Sequence, residues 1–97
     1  MEIRDRIKEF RRVKASELIA NPKNWRKHPA RQKKAMEAVL QEIGFAGAAL
    51  AREEDGKLHL MDGHLRKDLG GDAEIPVLVL DVTAEEADKI LATFDPI

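Results

Sequence analysis

From Ile75 to Val82 the chain is an almost continuous run of β-branched and leucine side chains. Such a strand has no polar face to offer to water, so it suits a place inside a sheet, buried on both faces. The run is therefore read as the centre of the sheet. At 97 residues there is length for one domain, residues 1–97, with one modest core.

The clearest helical signal covers Ala30 to Ile43. Met36, Val39, Leu40 and Ile43 recur there at helical spacing, with Lys33, Lys34, Glu37, Gln41 and Glu42 on the other face. Pro29 suits its first position and Gly44 its C-terminal cap. Downstream, Ala48–Arg52 and Lys57–Met61 flank Glu53-Glu54-Asp55-Gly56, whose Asp-Gly pair signals a hairpin of two antiparallel strands. The second strand runs straight into Asp62-Gly63, and His64 to Leu69 suits a short helix stopped by Gly70-Gly71. Thr83-Ala84-Glu85-Glu86 has the pattern of a capping box, after which Ala87, Ile90, Leu91 and Phe94 repeat the helical spacing. Near the N-terminus, Phe10–Lys14 reads as a short strand entering one helical turn capped by Ser16. Between Asn21 and Pro29, two prolines and two asparagines force an extended or turning path that carries the single tryptophan, Trp25. Strands and helices thus alternate as in an α/β (α+β) domain.

The absence of cysteine removes disulfides, zinc-thiolate sites and thiol chemistry. No apolar run approaches the roughly 20 residues of a membrane span, and Met1-Glu2-Ile3-Arg4-Asp5 has no signal-peptide apolar region. A soluble, cytoplasmic protein without a membrane partner is expected. The net charge of −1 conceals an asymmetry: residues 1–34 hold 12 Lys/Arg against 4 Asp/Glu, and residues 35–97 hold 5 against 14. A basic segment of this kind attracts phosphate-rich partners such as DNA, or complements the acidic half of a second copy in a homodimer.

The segment most suited to chemistry is Asp62-Gly63-His64-Leu65-Arg66. A glycine that follows a strand and opens a helix lets backbone N–H groups point toward an anion, and Arg66 can add a guanidinium fork to the same oxygens. Asp62 is placed to orient His64, bind a hydroxyl or polarise a proton, which makes Asp62 and His64 the catalytic candidates. The competing reading is that Asp-Gly serves backbone geometry alone. His59, Asp62 and His64 are close in sequence, but strand alternation does not bring them to one point, so no metal site is expected. The candidate nucleic-acid contacts are Arg11, Arg12, Lys23, Trp25, Arg26, Lys27, Arg31 and Lys34. Trp25 would either stack on a base or cover one end of the core.

Taken in order, these features resemble the ParB/sulfiredoxin superfamily, in particular the ParB-like N-terminal domain, also labelled a ParB-like nuclease domain. The residues that carry the resemblance are Leu18-Ile19-Ala20-Asn21-Pro22 with Asn24 and Arg26, the helix end Glu42-Ile43-Gly44-Phe45, the hairpin, Met61 through Arg66, and Ile75 through Asp81. The likeness runs from about Phe10 to Phe94. It implies a small mixed sheet with packed helices and a Gly-x-x-Arg turn that contacts nucleotide phosphates. Gly63 and Arg66 take that position here, with His64 and Leu65 offering backbone N–H groups. The ligands implied are CTP, or ATP/ADP, with Mg²⁺, and the setting implied is DNA-associated work in partition, phage or plasmid biology or DNA modification.

Departures from the family pattern narrow the activity. Members that hydrolyse CTP carry a second arginine after the first and a Gln-Pro pair after the helix glycine, whereas Lys67 follows Arg66 and Ala46-Gly47-Ala48 follows Phe45 here. These changes argue against CTP hydrolysis, not against phosphate binding. Sulfiredoxins place their cysteine where His64 stands, so sulfinic-acid reduction is excluded. Free-serine kinases have a similar Asp-Gly-His-x-Arg turn, which keeps nucleotide-dependent phosphotransfer as an alternative. The sequence has no carboxylate cluster of the sort that metal-assisted phosphodiester cleavage needs. A third reading is a non-catalytic, self-associating module joined through its opposite charge halves.

Overall fold

In the computed structural model, which describes residues 1–22 and 30–94, the described residues form a five-stranded mixed sheet with helices on both faces, an α/β fold. The elements in chain order are β1 (Ile7–Lys14), a 3-10 turn (Ala15–Glu17), β2 (Leu18–Ile19), α1 (Ala30–Glu42), β3 (Ala49–Glu54), β4 (Lys57–Asp62), α2 (His64–Gly70), β5 (Glu74–Leu80) and α3 (Ala84–Leu91). The strands lie side by side as β1-β5-β3-β4-β2. β1 is antiparallel to β5, β5 parallel to β3, β3 antiparallel to β4, and β4 parallel to β2.

β5 is internal, as its composition requires, but it is second from the edge, and β3 occupies the centre. An unbroken apolar strand needs a neighbour on each side and cover on each face, conditions that any interior position meets. What marks β3 is small side chains: Ala49 and Ala51 are wholly buried, and they let α2 approach the sheet closely. The alternation of β5 divides the core in two. Ile75, Val77 and Val79 pack with Val13, Ala15, Leu18, Ala49, Ala51, Leu58 and Leu60 on the α2 face. On the other face Leu80 joins Met61, Val82 and the Ala87 and Leu91 side chains of α3, with Leu50, Ile90 and Phe94 at the margin. Each fully buried Ile or Val contributes about 1.5–3 kcal/mol.

The hairpin is tighter than the sequence suggests. β3 extends through Glu54 and only Asp55 and Gly56 turn, both at positive φ (53° and 74°), the geometry of a type I′ turn. β1 begins at Ile7, three residues before the expected Phe10. The following turn starts at Ala15, after Lys14 and without a side-chain cap, so Ser16 lies inside the turn and does not cap it. At α3 the capping box is present: Thr83 Oγ1 accepts from the Glu86 N–H at 3.1 Å, and Glu86 Oε1 accepts from the Thr83 N–H at 2.9 Å.

Folding pairs three basic residues of the N-terminal segment, Arg6, Lys8 and Arg11, with acids from the other half. Both Arg6 terminal nitrogens donate to the Glu86 carboxylate at 2.9 Å, and Arg6 Nε donates to the Asp81 carbonyl at 2.8 Å. Glu53 on β3 receives Lys8 at 2.6 Å and Arg11 at 3.3 Å. Arg11 also pairs with Glu9. Part of the charge asymmetry therefore serves to tie β1 to the rest of the sheet. No helix among the described residues is long and apolar enough to cross a membrane.

Candidate phosphate-binding turn

The turn between β4 and α2 is built by a bulge and a glycine. Leu50 pairs with Asp62 but Ala51 pairs with Leu60, so Met61 is an extra residue on β4, and bulges of this kind re-aim the residues that follow. Gly63 then takes φ 105°, a left-handed conformation that side chains rarely adopt. A Cβ on Gly63 would lie 2.8 Å from the Ala49 Cβ and 3.0 Å from the Ala49 Cα. The turn backbone thus packs directly on the central strand. The Lys67 N–H donates to the Gly63 carbonyl at 3.0 Å, closing the first turn of α2. The N–H groups of His64, Leu65 and Arg66 precede that bond, and in a first turn such groups have no intrahelical acceptor.

The side chains of the turn divide their roles. Leu65 is buried and anchors α2. His64 Nε2 accepts the Asn21 N–H at 3.1 Å, which ties the end of the β2 segment to α2. This hydrogen bond spans 43 residues and is absent from any local pattern. The Arg66 guanidinium lies against Gly47, whose missing Cβ would be 3.1 Å from Nη2. It faces a shallow groove of about 310 Å³ lined by Gln32, Ala35, Met36, Val39 and Leu40 of α1 and by the Gly44–Gly47 loop. Arg66 has no hydrogen bond or ion pair among the described residues. A half-buried arginine left without a carboxylate in a concave wall is suited to a mobile anion. Asp62 ends β4 and is half-buried.

Gly63, His64, Leu65 and Arg66 thus share one turn; of the candidate nucleic-acid residues, the four that the structure describes are spread over β1 and α1. Arg11 and Arg12 alternate to opposite faces of β1, where Arg11 is held by Glu9 and Glu53, and Arg12 stacks on the Phe10 ring at 4.9 Å. Arg31 and Lys34 are exposed on α1. Lys23, Trp25, Arg26 and Lys27 lie outside the described residues. His59 lines a cavity of about 150 Å³ with Met61, Arg52 and the α3 residues Ala87 and Leu91. It cannot face away from the protein, because α3 packs over that side of β4. Among the described residues no group of three His, Asp or Glu converges. Sequence reasoning missed Gly47, whose signal was the run of small residues Ala46-Gly47-Ala48 after α1.

No protein-family model matches the sequence, and no curated protein does. Solved structures do match. C-terminally truncated chromosome-partitioning protein ParB from Caulobacter crescentus, complexed with CTP-gamma-S, superposes with a TM-score of 0.73 at 18% identity, covering 86% of this chain and 50% of that one. A Pnob8-like ParB-N domain gives 0.73 at 20% identity over 90% of this chain and 37% of its own. Sulfiredoxin from Arabidopsis thaliana gives 0.68 at 16% identity, covering 89% of this chain and 99% of that one. The chain has the ParB/sulfiredoxin superfamily fold. It spans half or less of the two ParB chains and nearly all of the sulfiredoxin.

Proposed function

We propose that this chain is a ParB-like domain that binds the phosphates of a nucleotide at Gly63–Arg66 and serves DNA-associated work. The observation that carries the reading is Arg66: its guanidinium rests on the bare backbone of Gly47, faces a groove, and has no acid partner among the described residues. Gly63 supports it, because its left-handed turn, seated on Ala49, opens α2 with amides that precede the first intrahelical bond and suit an anion. A neighbour with the same fold is described as complexed with CTP-gamma-S, which makes a nucleoside triphosphate the first ligand to try. Mg²⁺ would neutralise the phosphate oxygens that the protein leaves unpaired.

Isothermal calorimetry with CTP, ATP and ADP, each with Mg²⁺, tests the reading beside an Arg66→Ala control. Binding that Arg66→Ala weakens at least tenfold, with the fold intact by circular dichroism, is the expected result. Binding that is indifferent to Arg66, or no binding at millimolar nucleotide, refutes it.

A further inference from the structure

α3 covers only part of the sheet face opposite α2. Leu50, Met61 and Leu80 lie beneath it, while the β1 side of the same face stays open. There the strand register places Phe10 beside Leu78, Arg12 beside Pro76, and Lys14 beside Glu74. Phe45, held just past the left-handed Gly44 that ends α1, forms the opposite wall with Gly47 and Ala48. The result is an open groove of about 530 Å³ floored by Pro76 and Leu78 and flanked by two aromatic rings. Phe10 is 51% exposed and Phe45 41%, although burial of either ring would favour folding. Arg12 lies 4.9 Å from the Phe10 centroid and forms no ion pair among the described residues.

From this arrangement we propose that the open face is a stacking platform for the bases of single-stranded nucleic acid. Flat rings and a guanidinium plane stack on any base, and Arg12 and Lys14 supply charge for the adjoining phosphates against one acid, Glu74. A duplex hides its base faces and offers nothing to Phe10 or Phe45. Glu9 and Glu53, which pair with Arg11, belong to the opposite face of the sheet and leave Glu74 as the carboxylate lining the groove. Arg66 lines a different groove, beneath α1, which shares Gly47 with the platform.

The test is fluorescence anisotropy of the full chain with a labelled oligothymidylate of about a dozen nucleotides, and with a duplex of equal length. Phe10→Leu and Phe45→Leu keep apolar volume and remove the ring. Each is expected to weaken single-strand binding roughly 5- to 150-fold. Arg12→Gln is expected to lower the slope of log affinity against log salt by about 0.7, the single-strand value for one phosphate. Circular dichroism confirms that the variants fold. Three results would overturn the proposal: no single-strand binding at low salt, binding indifferent to both leucine variants, or sedimentation showing a dimer that those variants dissociate.

Discussion

Gly63→Ala separates what the turn's backbone needs from what its packing needs. Alanine at φ 105° incurs left-handed strain of about 1–2 kcal/mol. Its Cβ would also arrive 2.8 Å from the Ala49 Cβ and 3.0 Å from the Ala49 Cα. Ala49 cannot step aside, because it sits on the central strand in register with Val77 of β5. Forcing that contact adds about 1–3 kcal/mol of overpacking. The total, about 2–5 kcal/mol, is a large fraction of a net stability of about 5–15 kcal/mol. At roughly 4–8 °C per kcal/mol for a domain of this size, the melting temperature should fall by about 8–40 °C. Gly56→Ala is the control: φ is also positive, at 74°, but nothing lies within 4 Å of the added methyl, so only the strain of about 1–2 kcal/mol remains. Urea unfolding followed by far-ultraviolet circular dichroism reads both midpoints. Equal losses for the two variants would falsify the claim that the turn is seated on Ala49.

Three further outcomes follow from the same contacts. Thr83→Ala removes the α3 cap acceptor and should destabilise the domain by about 0.5–2 kcal/mol, read as a lower urea midpoint with an unchanged slope. The Arg6 guanidinium, followed by the Thr83 N–H, holds the Glu86 carboxyl down at about 2 from the usual 4.5. Since its folded pKa is depressed, Glu86 stabilises the fold above pH 4.5 and loses that contribution as pH falls toward 2. Glu86→Gln should flatten thermal stability against pH in that window, and an unchanged slope would count against the pairing. Glu53→Gln should release Lys8, leave Arg11 to Glu9 alone and loosen the tie between β1 and β3, seen as faster amide exchange in β1; unaltered exchange would show that strand pairing alone holds that edge.

Local chemistry made much of this architecture readable in advance. The Asp55-Gly56 turn, the Thr83–Glu86 box, the apolar run of β5 and the strand-glycine-helix turn at 62–66 each act through neighbours in sequence. The misses are non-local. β2 is two residues long and is defined only by parallel pairing of Leu18 with Leu58 and Ile19 with His59, so no periodicity could reveal it. β1 gains its first residues from pairing with β5 and from Arg6, whose partner Glu86 is 80 residues away. The helical period of α1 was clear, yet none of its residues is buried and Ile43 just beyond it is 73% exposed; amphipathic spacing names an apolar face without naming what meets it. At the site, the turn was visible as Asp-Gly-His-x-Arg. The meeting of Arg66 with Gly47, and of His64 with the Asn21 N–H, arises only when three separate loops converge.

The central claim is that nucleotide phosphates sit on the turn itself, and amide chemical-shift mapping addresses that location directly. Titrating ¹⁵N-labelled protein with CTP and Mg²⁺ should move the amide resonances of Gly63, His64, Leu65 and Arg66 together with that of Gly47, and Arg66→Ala should suppress the shifts. Shifts confined to other elements, or unchanged in Arg66→Ala, would contradict the assignment of the phosphate site.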